Sequence, residues 1–275
     1  MTSKNKKSEI LFVGAGPGDP ELITVAGQKA LREADLIVVA GSLVNLELLL
    51  VKKKECQVVD SAPLDLPQIV DTLISGYDQG LRVVRLHTGD PSLYGAVHEQ
   101  FSLLKKAKVP YRIIPGVTAA MAAAAELGLE FTIPEITQSL IVTRIAGRTP
   151  MPIGEDLLSL TKHQTSLALY LSAAQGQEVG KTLTQSFGEN SPVAVCYRVS
   201  WPDAQIFWTT PAKLAQTLAE HGLDRHALIL AGPALAALKS GKETPKSKLY
   251  DPQFGHAHRK AKKVPEIKKN KVKPD

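Results

Sequence analysis

The sequence predicts an α/β protein of two lobes followed by a basic tail, and three observations carry that expectation. Short apolar runs alternate with amphipathic stretches of helical length from Glu9 to Ala125. A second alternation opens near Ser139 and closes at Ala231. Past Lys239 the density of Lys, Gly and Pro rises and the periodicity stops. Strands separated by helix-length segments are the pattern of βαβ units and a parallel sheet. A chain of 275 residues is also long for one compact domain and comfortable for two. The expected division is an N-terminal α/β domain over residues 1–126, a C-terminal α/β domain over 127–238, and a basic, flexible tail over 239–275. Gly128 and Pro134 punctuate the junction.

The first strand is read over Glu9–Val13, ending at the turn Gly14-Ala15-Gly16-Pro17-Gly18-Asp19. Leu22, Val25, Ala30 and Leu31 recur near helical spacing and predict a helix over Glu21–Ala34. Leu36–Val39 is a strand, and an amphipathic stretch runs on through Leu50. Val58-Val59 and Arg82–Leu86 are further strands around a helix at Gln68–Ser75. A helix over Tyr94–Lys106 leads to the strand Tyr111–Ile114, and Ala119–Ala125 is a thin alanine-rich helix able to pack closely. In the second lobe the strands are Leu140–Thr143, Leu167–Leu171, Val193–Tyr197, an antiparallel partner at Gln205–Trp208, and Ala227–Ala231. The helices between them are Leu157–Lys162, Glu178–Gln185 and Pro211–Ala219, and Gly232-Pro233 reads as the stop.

Composition excludes several classes. At 44% hydrophobic residues the chain can bury a core and is too apolar to be disordered. No apolar run approaches the roughly 18 residues that cross a bilayer. The opening Met-Thr-Ser-Lys-Asn-Lys-Lys leads into a strand and a glycine turn, which is not a signal-peptide core. Two distant cysteines, Cys56 and Cys196, rule out a disulfide scaffold and a Cys-based metal site, and suit a reducing cytosol. The net charge of +6 belongs to the tail: residues 239–275 hold twelve Lys/Arg against four Asp/Glu, leaving 21 basic and 23 acidic residues elsewhere. A near-neutral body with 5% aromatics argues against a nucleic-acid surface. His221, His226, His256 and His258 lack carboxylate or cysteine company at metal spacing, so no protein-bound metal is expected. The expectation is a cytoplasmic protein.

Three turns at the ends of first-lobe strands carry the candidate chemistry. In the first, Gly14-x-Gly16-x-x-Asp19 puts an acid where a dinucleotide fold has its third glycine, and Pro17 removes an N–H donor. No Gly-Lys-Ser/Thr follows, so it is not a P-loop either. The second turn is His87-Thr88-Gly89-Asp90-Pro91-Ser92-Leu93-Tyr94-Gly95 and the third is Pro115-Gly116-Val117-Thr118-Ala119-Ala120. Carboxyl ends of parallel strands are where open α/β sheets bind ligands, and turns this small suit a nucleoside-sized cofactor held by main chain. Gly89 is expected to be glycine because a branched side chain would fill space the cofactor or backbone needs. Ser42, Ser92 and Ser172 lack the surroundings of a catalytic triad. His87 fits either orienting a substrate or capping its turn, Arg85 either a structural salt bridge or a substrate contact, and Trp201 and Trp208 the core or a cleft wall.

In this order and spacing the three turns resemble the tetrapyrrole (corrin/porphyrin) methyltransferases over roughly residues 9–238. Smaller signatures are similar to the branch acting on carbon 11 of precorrin-4 or cobalt-precorrin-4. They are Ala40-Gly41-Ser42-Leu43-Val44, His87–Pro91, Thr143-Arg144 with Gly147-Arg148-Thr149-Pro150, Ser200-Trp201-Pro202-Asp203, and the tail's Ser247–Pro252 and Phe254-Gly255-His256. The uroporphyrinogen branch has Gly-Gly-Asp-Pro-Phe in the second turn and an Asp, proposed as base, where this chain has Gly41. The resemblance implies two α/β domains with a cleft between them, a homodimer, and S-adenosylmethionine-dependent methyl transfer to that carbon in cobalamin biosynthesis. It places Pro17, Thr88, Gly89, Asp90, Leu93, Thr118, Ala119, Leu171 and Gly232 at the cofactor. No general base carries over, so the catalytic residues are left unassigned. The substrate's acetate and propionate groups call for cationic forks, and Arg144 and Arg148, in a loop after a strand, are the candidates. The alternatives are a tetrapyrrole methyltransferase acting at another carbon, or a binding module that uses the basic tail.

Overall fold

The structure is a computed structural model and describes residues 9–41 and 43–261. Ser42 of the Ala40–Val44 signature and the tail from Lys262 onward lie outside the described residues. The first lobe runs β1 (Ile10–Gly14), α1 (Val25–Glu33), β2 (Leu36–Val39), β3 (Gln57–Asp60), α2 (Leu66–Asp78), β4 (Val83–His87), α3 (Val97–Lys106), β5 (Tyr111–Ile114) and α4 (Ala119–Leu127). Its five strands are all parallel, in the order β3-β2-β4-β1-β5. Strand β2 shows why these segments read as continuous apolar runs. Ile37 and Val39 enter the core under α1, whereas Leu36 and Val38 enter the core under α2 and α3. A strand covered on both faces has no polar side to alternate with.

The second lobe runs β6 (Leu140–Thr143), α5 (Leu157–Thr161), β7 (Ser166–Leu169), α6 (Gly176–Phe187), β8 (Val193–Tyr197), β9 (Gln205–Thr209), α7 (Leu214–Glu220), β10 (Ala227–Ala231) and α8 (Pro233–Ser240). Its sheet is mixed, in the order β6-β7-β10-β8-β9. Only β6 and β7 are parallel, while β10 runs against both β7 and β8, and β9 against β8. Helix α8 is not expected from the sequence, because Gly232-Pro233 reads as a break. Here Gly232 takes φ 108° outside the helix and Pro233 occupies its first turn, where a missing N–H costs nothing.

Caps explain most other shifts of boundary. The stretch expected as one helix from Glu21 divides into a 3-10 turn at Pro20–Leu22, capped by Asp19, and α1, capped by Thr24 Oγ1 on Gly27 N–H. Helix α2 begins earlier than read because Asp65 and Gln68 form a capping box. Helix α3 begins later because Tyr94 and Ala96 take left-handed backbone (φ 53° and 47°). The tail is not featureless within the described residues. Arg259 Nη2 donates to the carbonyls of Leu249, Asp251 and Phe254 and winds that segment on itself.

Helix α4 joins the lobes. It follows β5 of the first sheet, yet Ala120, Ala122, Ala123 and Ala124 pack with Ala168, Ala194, Leu228 and Leu230 of the second. The boundary expected after residue 126 falls inside this helix. Alanines on its buried face let the helix lie close to the second sheet while its first residues remain at the end of β5.

The three glycine turns meet where the crossovers from β1 and β4 leave toward opposite edges of the sheet, the place where open parallel sheets form a crevice. Their contact is backbone on backbone. A Cβ on Gly14 would lie 2.5 Å from Gly116 Cα and 2.6 Å from the Gly89 carbonyl oxygen, and one on Gly116 would strike that same oxygen. Gly116 has no left-handed torsion, so the cost of a side chain there is purely steric. Gly116→Ala is therefore expected to destabilise the protein by about 2–3 kcal/mol, as overpacking with no flexible neighbour to yield. Urea unfolding checks this, and an unchanged midpoint would mean that the turns are not in contact.

Candidate functional site

Main-chain hydrogen bonds lock the first two turns. Ala15 N–H donates to the His87 carbonyl (2.7 Å), Gly89 N–H to the Gly16 carbonyl (2.8 Å), and Gly16 N–H back to the Gly89 carbonyl (3.2 Å). Asp90 ties in the third: its Oδ2 accepts Gly116 N–H and its Oδ1 accepts Ser92 N–H, both at 2.8 Å. The Asp90 side chain thus serves the scaffold. Gly89 sits at φ 62°, and a Cβ there would meet its nearest atoms only at 3.9 Å. The constraint expected from lack of space is instead conformational, since a branched residue disfavours that backbone.

The second lobe grips these turns from across a cleft. Trp201 Nε1 donates to the Pro17 carbonyl (2.9 Å), and Asp19 N–H donates to Ser200 Oγ (3.0 Å). The Tyr170 hydroxyl accepts Ala120 N–H (2.8 Å) and lies 2.6 Å from Thr118 Oγ1. Between the lobes lies a cavity of about 730 Å³. Its wall brings together Pro17, Thr88, Gly89, Asp90, Leu93, Thr118, Ala119 and Leu171. Gly232 does not line this cavity. It packs on Thr165 and Ser166 at the start of β7, whereas the cavity is met by the opposite end of β10, at His226, Ala227 and Leu228.

Arg144 and Arg148 do not line this cavity. Arg144 spends its guanidinium on its own loop, donating from Nη1 to the carbonyls of Ile145 and Thr149 (both 3.2 Å) and from Nη2 to that of Pro150 (2.8 Å). Arg148 is exposed. Other wall residues were not singled out as ligands from the sequence: Tyr94, Tyr170, Arg198 and His226, with Trp201 as the cleft wall already considered. Backbone strain marks several of them. Tyr94, Ala96, Leu171, Arg198 and His226 all line the cavity with φ between 44° and 59°, a conformation that non-glycine residues hold at a cost of about 1 kcal/mol or more each. Leu171 is also 69% exposed, so an apolar side chain is held in a strained pose toward open space.

Electrostatics separate the titratable groups by use. Burial pushes the Cys196 thiol up to about 12, which leaves it unreactive. Burial, then the neighbouring Arg85 charge, pushes His87 down to about 3, so its imidazole is neutral at working pH. Its Nε2 is buried with no hydrogen-bond partner. Arg85 is also buried, and among the described residues it makes no salt bridge, which corrects its reading as a structural ion-pair partner. Among the described residues no group of three His, Cys, Asp or Glu could hold a metal ion, and no helix is long and apolar enough to cross a membrane.

Comparison with known proteins identifies close relatives. Residues 9–215 match the profile of the Tetrapyrrole (Corrin/Porphyrin) Methylases. The chain is 45% identical over 256 residues to a cobalt-precorrin-4 C(11)-methyltransferase of Methanocaldococcus jannaschii, covering 93% of this chain and 97% of the relative. It is likewise 45% identical over 250 residues to a precorrin-4 C(11)-methyltransferase of Pseudomonas aeruginosa, covering 91% and 98%. The X-ray structure of a cobalt precorrin-4 methyltransferase superposes with a TM-score of 0.82 at 42% identity, covering 86% of this chain and 99% of that one.

The neutral His87 has a consequence for acid stability. Between its ordinary value of 6.5 and about 3, the unfolded chain takes up a proton that the folded chain refuses. Stability from this group is therefore complete above pH 6.5 and falls as the pH is lowered, by up to about 1.4 kcal/mol per unit. His87→Phe, which can keep the stack on Phe12, should show a shallower loss of melting temperature between pH 6.5 and 4. Parallel curves for the two proteins would show that His87 is hydrated and not held neutral.

Proposed function

The chain belongs to the tetrapyrrole (corrin/porphyrin) methylases, and from that premise we propose that it transfers a methyl group from S-adenosylmethionine to carbon 11 of precorrin-4, metal-free or cobalt-loaded, in cobalamin biosynthesis. The observation that carries the reading is the cavity between the lobes, on whose wall three main-chain turns and Leu171 converge, in a chain 45% identical over nine-tenths of its length to two enzymes named for that reaction.

The cavity suits the methyl donor. Its volume lies within the range of small-molecule sites. Gly89, Thr118 and Ala119 keep the wall shallow, Pro17, Leu93 and Leu171 make it apolar, and the turns present main chain. We assign these residues, with Thr88 and Asp90, to the cofactor, with Asp90 acting through the turn it holds. When bound, the cofactor supplies an electrophilic methyl on a sulfonium. The chain's own task is to align a nucleophilic carbon of the macrocycle with that methyl and to exclude water, which can supply much of the acceleration. No residue is assigned as a base.

Arg144 and Arg148 take different parts in this reading. Arg144 shapes the loop from 144 to 150 through its three carbonyl contacts. Arg148, exposed in the same loop, keeps its planar fork for a substrate carboxylate. A homodimer in the cytoplasm belongs to the same proposal, in keeping with two buried, unpaired cysteines.

Methyl transfer assayed with metal-free and cobalt-loaded precorrin-4 tests the reading directly, and no product from either substrate would refute it. S-adenosylhomocysteine at about a hundredfold excess over its dissociation constant should stabilise the protein by about 2.7 kcal/mol, seen as a rise of several degrees in melting temperature. Gly89→Val should abolish that shift, and a folded Gly89→Val protein with wild-type affinity would remove the second turn from the cofactor site. Arg148→Ala should lower kcat/KM for the tetrapyrrole about ten- to a hundredfold with cofactor affinity unchanged. Arg144→Lys should fail to restore the loop, because an ammonium cannot span three carbonyls.

A further inference from the structure

Strand β4 is a central strand, and its side chains Val83, Arg85 and His87 point to the face covered by α2 and α3. Val83 enters the apolar core there, but the next position on that face is an arginine only 4% exposed. A buried cation is costly unless an opposite charge meets it. Arg85 has none within salt-bridge distance among the described residues. Its contacts are all neutral: Nη1 donates to Ser61 Oγ (2.8 Å) and the Val38 carbonyl (3.3 Å), and Nε donates to Gln100 Oε1 (3.3 Å). Nη2 donates to no described residue. These acceptors, from β2, the loop after β3 and α3, fix the guanidinium without neutralising it.

A second unsatisfied group stands on the same wall. His87, two residues along β4 and also 4% exposed, has its Nε2 buried without a partner. Both residues line the cavity, whose α2–α3 side, its branch beneath those helices, is walled by Leu66, Ile69, Glu99 and Gln100. None of the residues assigned to the cofactor lies on those helices. The branch therefore presents a fixed positive charge and an open hydrogen-bonding nitrogen; Asp60 acts on that charge only from beyond salt-bridge distance, and Glu99 stands at the exposed side of the wall, so no carboxylate of the chain pairs with Arg85 among the described residues.

We propose that Arg85 is a specificity-determining residue that receives a carboxylate of the tetrapyrrole substrate at the floor of this branch, with His87 Nε2 alongside. The inference rests on the reading of the substrate given above. An anionic side group entering the branch completes the charge pair that folding leaves open, so substrate binding gains what the folded protein has gone without. The cofactor's own carboxylate is the other source of this chemistry, and the walls that α2 and α3 give the branch, helices that carry no residue assigned to the cofactor, favour the substrate.

The test compares wild type, Arg85→Met and Arg85→Lys in steady-state kinetics with precorrin-4. Calorimetry with S-adenosylhomocysteine and a melting temperature accompany each. Arg85→Met should raise KM for the tetrapyrrole about ten- to a hundredfold, leave S-adenosylhomocysteine affinity within twofold, and not lower the melting temperature, because an uncompensated buried charge has been removed. Arg85→Lys should fall between the two. A wild-type KM in Arg85→Met overturns the inference while leaving the methyltransferase reading intact. So does a loss of S-adenosylhomocysteine affinity as large as the rise in KM, which would hand the anion to the cofactor. If Arg85→Met does not fold, a wild-type KM in Arg85→Lys with a lowered melting temperature makes Arg85 a scaffold, and a raised KM at unchanged melting temperature supports the proposal. Wild type that turns over no precorrin-4 refutes the substrate reading itself, and the inference falls with it.

Discussion

The close approach of Gly14, Gly89 and Gly116 is the constraint on which the rest of the structure depends. Three strand ends are brought so near that any side chain at Gly14 or Gly116 would occupy space taken by backbone. The gain is a site wall made of main chain, cross-linked by the Gly16–Gly89 pair and by the Asp90 carboxylate on Gly116 N–H. Side chains move among rotamers, whereas a backbone bonded on both sides does not. A surface that must hold a ligand in reacting geometry is better built this way, since misplacement by an ångström is expensive in rate.

The same turns are where the lobes join. Trp201 binds Pro17, Ser200 binds Asp19, and Tyr170 binds both Thr118 and Ala120. Gly18 leaves the room that the Trp201 indole fills. The polar atoms holding the lobes together thus belong to residues flanking the cavity, and closing the interface shapes the site in one step. The left-handed residues follow from this arrangement. Leu171, Arg198 and His226 sit where chain leaving or entering β7, β8 and β10 bends toward the cleft. Their strain is offset by the packing of the sheet behind them, and it appears at the cavity because the chain has least freedom there.

How much of this was legible depended on whether the signal was local. Strands Leu36–Val39, Val193–Tyr197 and Ala227–Ala231 were read to the residue, because each is buried on both sides and bounded by polar or turn residues. Helix starts shifted wherever a cap or a left-handed residue decided them, as at Asp65 and Ala96. The glycine turns were visible as composition, but their mutual contact was not, since it joins Gly14, Gly89 and Gly116, which lie 27 to 102 residues apart. Gly232 stands apart from the cavity for a topological reason. In a mixed sheet the two ends of a strand are equally plausible neighbours of a cleft, and only the antiparallel pairing of β10 with β7 shows which end faces it. Arg144 resembled a ligand fork because a sequence cannot show that its own loop carbonyls occupy it. A lone cation inside the apolar run Val83–Leu86 was a readable signal, and its missing partner needed the structure.

Charge placement completes the physical picture. The folded body is nearly neutral, and the basic surplus lies beyond residue 238. A polyanionic substrate is therefore not drawn to the cavity by a broad positive field on the body. Recognition has to come from cations at fixed positions, and a buried one is worth more than an exposed one because solvent does not screen it. Such a cation is costly to carry through folding without a partner. Arg85 meets that cost through three neutral acceptors and keeps its charge, since burial lowers it only to about 10. Selectivity follows from the same accounting. A macrocycle lacking an anion at that point would leave the charge as uncompensated as in the empty fold, whereas one carrying it relieves a penalty the protein already bears. Position within the apolar branch, and not overall basicity, is then what discriminates among polycarboxylates of similar size and charge.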